Sequence, residues 1–279
     1  MTEATSETAD IVVDITDGVG TVRLNRPDRG NSVTPDVVTR MGDTIASLAE
    51  TDEVGAVVLT GTGKVFCAGA DVQDMYAVWS ADGADGLMDY LGETWMPAVQ
   101  RTVRLLWNAP VPVVAAYNGS ATAGGLDFGL SCDVRLAASS ARFAESYVNL
   151  GMIPVAGGAY LLPKLVGLAK GSHMIATGAF IDANEALAAG MVSEVCANDE
   201  LASRAAEVAR GMTHGPKATY AHAKRIARAA ASAELDAALD ESLAANIDVL
   251  RRPEVRSSVL DVMERYSLSR GAAAVVRDQ

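Results

Sequence analysis

The fold is decided by the stretch from Val111 to Asp133, which reads Val-Pro-Val-Val-Ala-Ala-Tyr-Asn-Gly-Ser-Ala-Thr-Ala-Gly-Gly-Leu-Asp-Phe-Gly-Leu-Ser-Cys-Asp. Val111 to Ala116 consists of β-branched and small apolar residues, and this run predicts a strand that is buried on both faces. The turn-forming pair Asn118-Gly119 ends the strand. Ala123-Gly124-Gly125 then opens a second apolar segment, Leu126 to Leu130, whose length and spacing predict the first turns of a helix.

The glycine pair at the start of this helix points to chemistry. A helix N-terminus presents unpaired backbone N–H groups and a partial positive charge, and glycine lets a ligand approach them closely. Asp127 lies one turn inside, where its carboxylate could face the same ligand. Donors aimed at a carbonyl oxygen, with a base near the adjacent carbon, are what enolate chemistry requires. Because the same pattern occurs in βα turns that bind nothing, the stretch alone leaves both interpretations open.

Length and composition set the broad class. The chain has 279 residues, which suits one large domain, or one domain with a smaller appendage. Hydrophobic residues make up 49% and charged residues 21%, so the core can be sizeable. A formal net charge of -12 argues against a nucleic-acid-binding protein, because neutralising phosphates requires clustered Lys and Arg. One or two local cations can still hold the phosphate of a nucleotide-bearing ligand.

The ends and the reactive side chains predict a cytoplasmic protein with no membrane contact and no metal. Met1 to Asp10 is polar and acidic, which predicts a disordered tip without a signal peptide, and no apolar run is long enough to span a membrane. The cysteines are scattered in apolar sequence, which predicts reduced thiols. The histidines lack ligand spacing, so a metal site is not expected. These residues are Cys67, Cys132, Cys196, His173, His214 and His222.

The rest of the first two thirds predicts alternating strands and helices. Ile11–Ile15 and Thr21–Leu24 predict a β-hairpin, and Thr34-Pro35 predicts the capped start of a helix that ends near Glu50. The other predicted elements are strands at Ala56–Thr60 and Val134–Ala137, helices at Val72–Trp79 and Met88–Asn108, and a polar, mobile interruption at Ser80–Gly86. Met75, Tyr76, Trp95 and Met96 are either plain core or the lining of a pocket.

A glycine-bearing loop, Gly61 to Asp71, follows the strand at Ala56–Thr60. Its first glycines suggest a dinucleotide or phosphate loop, but the third glycine position is Phe66 and neither Ser nor Thr follows Lys64. The small residues of the loop could instead lie against a flat ligand and donate N–H groups. Arg29, with Arg26 beside it, is either part of a solvated turn or a contact for an anionic group.

Glu145, Tyr147 and Asn149 alternate along a segment that follows the strand at Val134–Ala137. In an extended segment, alternate residues lie on one side. If that side faces Asp127, a second functional group is available there. If it faces solvent, the three residues have no role in the site.

The last part of the chain predicts helices only, at Asn198–Arg210, Lys217–Ser232, Leu235–Leu250 and Glu254–Tyr266. We therefore expect three parts. These are a disordered tip (residues 1–10), an α/β core (residues 11–197) and a helical C-terminal subdomain (residues 198–279) that packs on a neighbour.

Taken together, several stretches in this order resemble the crotonase superfamily, the enoyl-CoA hydratase/isomerase family. The resemblance extends from about Ile11 to Tyr266 and rests on Phe66 to Asp71, Asn118-Gly119, Ala123 to Asp127, Cys132-Asp133 and Gly151 to Pro154 with Gly157-Gly158. It implies the crotonase (ClpP-like) fold, in which repeated ββα units form two roughly perpendicular sheets. It also implies that the helical C-terminal subdomain serves trimerisation, giving a homotrimer or a dimer of trimers.

The resemblance implies an acyl-CoA thioester substrate, with coenzyme A as part of the substrate and no separate cofactor. By position, Ala70 and Gly124 match the residues whose backbone N–H groups form the oxyanion hole. The two glutamates of the hydratases fall on Asp127 and Tyr147. Asp is shorter than Glu by about one C–C bond, ~1.5 Å, and Tyr is a poor base with a reference pKa of about 10. Glu145, two residues away, is a further candidate for the second group.

Four more residues match the coenzyme A site of the family. Ala68, Asp71 and Val72 match the loop that cradles adenine and pantetheine, and Arg29 lies where a basic residue often meets the phosphates. The resemblance thus implies hydration or isomerisation of an enoyl-CoA. Two alternatives are a C–C bond hydrolase acting on a ketoacyl-CoA and a non-catalytic acyl-CoA-binding protein on the same fold.

Overall fold

The computed structural model describes residues 9–277, with side chains as far as Leu268. The strands are β1 (Ile11–Thr16), β2 (Val19–Leu24), β3 (Ala56–Gly61), β4 (Val65–Cys67), β5 (Val113–Tyr117), β6 (Ser120–Thr122), β7 (Val134–Ala138), β8 (Arg142–Ala144), β9 (Ile181–Asp182) and β10 (Glu194–Cys196). The helices are α1 (Pro35–Glu50), α2 (Val72–Asp89), α3 (Met96–Asn108), α4 (Gly124–Leu130), α5 (Gly158–Val166), α6 (Leu168–Thr177), α7 (Ala183–Ala188), α8 (Leu201–Gly211), α9 (Lys217–Val249) and α10 (Pro253–Arg277). A π-helical turn, Tyr90–Trp95, joins α2 to α3, and short 3-10 turns lie at Pro27–Arg29 and Ser146–Leu150.

The strands form two sheets built from repeated ββα units, as predicted. One sheet has six strands in the order β1-β2-β3-β5-β7-β10, and the other has four in the order β4-β6-β8-β9. Only the hairpin β1–β2 and the pair β8–β9 are antiparallel. In the three strand pairs β3–β4, β5–β6 and β7–β8, the first strand joins the six-stranded sheet and the second joins the smaller one. The ends of the second strands therefore lie side by side.

The central strands are buried on both faces, which confirms the prediction for Val111–Ala116. Val113 and Ala115 pack in the main core with helices α1 and α3, whereas Val114 and Ala116 pack in a second core beneath α8. Parallel strands covered on both sides require continuous apolar sequence, and β3 and β5 have it. The hydrophobic pattern thus sets which strands lie at the centre of the sheet.

Two predicted helix boundaries are wrong. The interruption at Ser80–Gly86 is helical, and only Gly83 leaves the helical range, with φ 72° and ψ -165°. Its polar residues suit the exposed side of α2, so polarity alone did not break the helix. The two helices predicted at Lys217–Ser232 and Leu235–Leu250 are one helix, α9. The residues between them are strong helix formers without Pro or Gly.

The predicted domain limits have different outcomes. Residues 1–8 of the expected disordered tip lie outside the described residues, whereas Asp10 accepts a hydrogen bond from Asn25 N at 2.7 Å. The boundary at Asn198 stays a prediction, although α8 beyond it packs on the larger sheet through Leu201, Ala205 and Ala209. Between residues 9 and 277, no helix has both the length and the apolar character needed to cross a bilayer.

The Cys132-Asp133 motif ties α9 to the sheet. The Asp133 carboxylate accepts from Val113 N at 2.8 Å and pairs with Lys224 at 2.8 Å and Arg228 at 2.9 Å. All three charged side chains are at most 16% exposed. Removing one partner of a buried ion pair leaves an uncompensated charge, which is far more costly than losing an exposed pair.

We expect Asp133→Asn to lower the free energy of unfolding by about 3–5 kcal/mol, because Lys224 and Arg228 remain buried without their counter-charge. Urea denaturation measures this. The matched control is Asp248→Asn, which removes an exposed pair with Arg252 within one helix turn. A similar, small effect for both variants would contradict a buried role for Asp133.

Candidate functional site

Two loops of small residues meet where the β4–α2 connection passes the start of α4. Val33 N donates to Gly69 O at 2.8 Å and Asp71 N donates to Val33 O at 3.1 Å, which holds the first loop against residue 33. A Cβ placed on Gly69, whose φ is +88°, would lie only 3.6 Å from Gly124 N. The two predicted loops are therefore direct neighbours.

The backbone N–H groups of Ala70 and Gly124 are unpaired. In the bridge to Val33, the flanking residues Gly69 and Asp71 make the hydrogen bonds, so the Ala70 N–H is left over. Gly124 is the first residue of α4, where an N–H has no acceptor within the helix. Neither N–H donates to a backbone oxygen in the described part of the chain. The preceding Ala123 has φ 49°, an uncommon conformation for a residue with a Cβ, and this bend opens the helix start.

Gly125 fits against the first loop so closely that no side chain has room. A Cβ on Gly125 would overlap the carbonyl oxygen of Cys67, whereas a Cβ on Gly124 would meet nothing nearer than Tyr147 Oη at 3.3 Å. The contact between Gly125 and Cys67 is between backbone atoms and cannot relax by a change of rotamer.

We expect Gly125→Ala to destabilise the protein or prevent its folding, since α4 would have to move away from the loop. Gly124→Ala, one residue earlier, should remain folded because its contacts are ordinary or nearly so. Thermal unfolding of the two variants measures the difference. Equal melting temperatures would show that the two loops do not depend on this close approach.

An apolar pocket opens beside the two loops. Its volume is about 90 Å³, and its lining is mostly apolar, with Ser146, Tyr147 and Trp95 as the residues that carry a polar side-chain group. The lining residues come from the first loop, α2, the π turn and the segment after β8: Ala68, Ala70, Val72, Met75, Leu91, Trp95, Ala123, Ser146, Tyr147, Leu150 and Met152.

Three titratable side chains lie in series behind the pocket. Tyr147 lines it and donates from Oη to Asp127 Oδ2 at 3.1 Å. Asp127 and Glu145 have no exposed surface, and a Cβ on Gly158 would overlap both Asp127 Oδ1 and Glu145 Oε1. These two oxygens therefore converge on one point. The order from the pocket inward is Tyr147, Asp127 and Glu145.

The surroundings favour the neutral, protonated form of both carboxyls. Burial raises the pKa of Asp127 to about 7, although the hydrogen bond from Tyr147 acts in the opposite direction. Burial and the neighbouring charge of Asp127 raise the pKa of Glu145 well above its usual value. Two buried carboxyls that lie this close together resist being ionised at the same time, because their charges repel. Burial also raises the pKa of Tyr147, so its phenol stays protonated.

The family of the chain follows from comparison with known proteins. The sequence profile of the enoyl-CoA hydratase/isomerase family matches residues 14–268. The chain belongs to this family.

Individual relatives agree with the assignment. A short-chain-enoyl-CoA hydratase of Clostridium acetobutylicum is 35% identical over 222 residues, which cover 79% of this chain and 82% of the relative. A 1,2-epoxyphenylacetyl-CoA isomerase of Escherichia coli is 32% identical over 223 residues, covering 80% and 83%. The crystal structure of an enoyl-CoA hydratase from Mycobacterium avium subsp. paratuberculosis K-10 superposes with a TM-score of 0.78 at 29% identity, covering 92% and 98%.

The residues predicted to bind coenzyme A differ in their exposure and in their contacts. Asp71 is 2% exposed, and its carboxylate accepts from Arg26, Arg29 and the first N–H groups of α2. Burial opposes its ionisation, but the hydrogen bond from Arg29 and the charge of Arg26 hold the pKa of Asp71 below its usual value. Arg26 is engaged inside the loop, whereas the Arg29 side chain is 42% exposed. Ala68 and Val72 line the pocket.

Several other sequence predictions can now be compared with the site. Ser146–Leu150 is a 3-10 turn rather than an extended segment, so Tyr147 faces Asp127 while Asn149 is exposed. Met75 and Trp95 line the pocket, but Tyr76 and Met96 do not. Leu91 and Met152 were not recognised as pocket residues. Leu91 shares a helical stripe with Trp95 that could have indicated it, and Met152 lies in the Gly151 to Pro154 motif, which did not by itself indicate a pocket.

We expect Glu145→Gln to make stability less dependent on pH. The folded-state pKa of Glu145 lies above its unfolded value of about 4.3, so its contribution to stability is complete in acid and is lost as pH rises. Between the two pKa values the loss is about 1.4 kcal/mol per pH unit. Urea denaturation at about pH 5 and pH 8 measures this. The free energy of unfolding should fall less between the two pH values for Glu145→Gln than for the wild type.

The control for this comparison is Glu53→Gln, which changes a residue in an exposed turn. The free energy of unfolding of this variant should decrease with rising pH as that of the wild type does. If the free energy of unfolding depends on pH in the same way in all three proteins, Glu145 titrates normally and is not influenced by Asp127.

Proposed function

We propose that this chain catalyses proton transfer on an enoyl-CoA, and that isomerisation of the double bond is favoured over hydration. The observation that carries this proposal is the order of groups behind the pocket. Tyr147 lies between the pocket and Asp127, and Glu145 lies beside Asp127 on the far side. A single proton-transferring group therefore faces the acyl carbons.

The thioester oxygen of the substrate would lie between the N–H groups of Ala70 and Gly124. Removal of a proton from the acyl chain moves negative charge onto this oxygen, and two fixed donors stabilise that charge. The start of α4 adds the positive end of its dipole at the same point. The unpaired state of both N–H groups and the closeness of the two loops support this role.

The proton would travel through Tyr147 and Asp127. Asp127 takes the phenolic proton while Tyr147 Oη takes a proton from carbon, and the reverse steps return a proton to a different carbon of the same enolate. No atom is gained or lost, so the product is a positional isomer. Glu145, kept neutral by burial, leaves Asp127 as the carboxyl that can ionise and accept the proton.

Hydration has less support from this arrangement. Adding water requires a water molecule held beside the acyl chain by groups that activate it. Here the two carboxyls face each other behind a tyrosine rather than facing the pocket. The relatives include both a hydratase and an isomerase by name, so the assay must offer both reactions.

Asp127→Asn should reduce turnover by about 10²–10⁴-fold, because it removes the carboxylate to which Tyr147 Oη donates. Tyr147→Phe should lose activity on the same scale, whereas both variants should keep their affinity for a saturated acyl-CoA. The measurement is conversion of 3-enoyl-CoA to 2-enoyl-CoA, and of 2-enoyl-CoA to the hydroxyacyl-CoA, together with calorimetry.

Tyr160→Phe is the matched control, since Tyr160 is bound to Glu234 at the surface and should be dispensable. Unchanged turnover in Asp127→Asn would remove Asp127 from the mechanism. Tight acyl-CoA binding without either reaction would favour a non-catalytic binding protein, and hydration faster than isomerisation would reverse the preferred reaction.

We also propose that the chain assembles as a homotrimer or a dimer of trimers. Large apolar side chains on α6, α9 and the connection after α6 are exposed, namely Leu168 at 74%, Ile226 at 68% and Phe180 at 46%. A contiguous exposed apolar patch often marks a protein interface, and these three side chains are candidates for such a contact. The cytoplasmic location stays a prediction.

A further inference from the structure

The pocket is closed on one side by the indole of Trp95. This side chain is only 2% exposed, and its Nε1 lies 3.4 Å from the carbonyl oxygen of Val33, to which it donates. Val33 also bonds Gly69 and Asp71 and so positions the loop that carries Ala70. The indole and the Ala70 loop are therefore held by the same residue.

Trp95 stands close to the proposed position of the thioester. A Cβ on Gly124 would lie 3.8 Å from Trp95 Cη2 and 3.3 Å from Tyr147 Oη. The indole and the phenol thus both lie close to the start of α4. An acyl chain whose carbonyl oxygen meets the Gly124 N–H would contact Trp95 within its first few carbons.

The π turn contributes a second part of this wall. Met96 N donates to Leu91 O, five residues back, in place of the usual four. Such turns insert an extra residue into a helix and are frequent at functional sites. Leu91 and Trp95 both line the pocket and are both buried. Met75 and Met152 complete the apolar lining, and both are buried as well.

The pocket is small. A cavity of about 150 Å³ holds the six carbons of benzene in a well-studied core. On that scale the 90 Å³ of this pocket accommodates about four carbons. Forcing more atoms into a well-packed apolar space is destabilising rather than merely neutral.

We infer that Trp95 is the residue that restricts this site to short-chain acyl groups of about four carbons. The inference rests on the proposed function, because it takes the pocket beside Ala70 and Gly124 as the acyl site. The inference adds the substrate class, short-chain acyl groups, and names Trp95 as the side chain that determines this class.

The test is a chain-length series measured on the wild type and on Trp95→Leu. For wild type, kcat/KM should fall about 10–200-fold between four-carbon and eight-carbon enoyl-CoA, the range that misfit in an apolar pocket produces. Trp95→Leu should raise kcat/KM for the eight-carbon substrate about tenfold or more relative to the four-carbon substrate.

Two further variants keep the test decisive. Trp95→Phe retains most of the buried surface of the side chain. It should shift the chain-length preference in the same direction as Trp95→Leu but by less, and it replaces that variant in the test if Trp95→Leu does not fold. Trp79→Leu is the control, because Trp79 packs on Tyr76 on α2 and does not line the pocket. Its chain-length preference should equal that of the wild type.

Calorimetry with butyryl-CoA and octanoyl-CoA separates this inference from the proposed function. Tighter binding of butyryl-CoA by about tenfold or more, without any turnover, would support the short-chain site and contradict the proposed reaction. Equal affinities in wild type would overturn the inference even if isomerisation occurs. A folded Trp95→Leu or Trp95→Phe protein with the wild-type preference would show that Trp95 is not the limiting residue.

Discussion

The close approach of two backbone loops is the constraint on which the site depends. Gly125 packs its Cα against the carbonyl of Cys67, and this contact brings the start of α4 beside the Ala70 loop. Both loops follow strands of the smaller sheet, β4 and β6, which pair in parallel. The sheet sets the spacing of the loops, and glycine allows them to touch. The two unpaired N–H groups are consequences of that geometry.

The acid side of the site follows from a different constraint, which is the exclusion of water. Asp127 lies on the buried face of a short helix, and Glu145 follows a buried strand, so both carboxyls are enclosed by the core. Burial favours their neutral forms, whereas hydrogen bonds to Asp127, the one from Tyr147 foremost, favour its ionisation. The difference between the two environments divides the roles. In the proposed mechanism Asp127 exchanges a proton with Tyr147, and Glu145 stays neutral.

Much of the fold could be predicted from the sequence because its main signals are local. The apolar run at Val111–Ala116, the Thr34-Pro35 helix start and the hairpin turn each depend on residues that are adjacent in the chain. The grouping of Asp127, Tyr147 and Glu145 could be anticipated as one alternative. The bond from Trp95 to Val33 joins residues 62 positions apart, and nothing in either neighbourhood indicates it. Polar residues at Ser80–Gly86 suggested a break because sequence polarity does not distinguish an exposed helix face from a loop.

The complete burial of the Asp127 and Glu145 carboxyls has a consequence for the fate of hydrogen atoms. In the proposed mechanism the proton taken from carbon resides on Tyr147 Oη, beside the buried carboxyls, and Tyr147 is only 2% exposed. Such a proton would therefore return to the same substrate molecule before it could exchange with the solvent. In such an arrangement a deuterium taken from one carbon would reappear on another carbon of the same molecule, so the transfer is intramolecular.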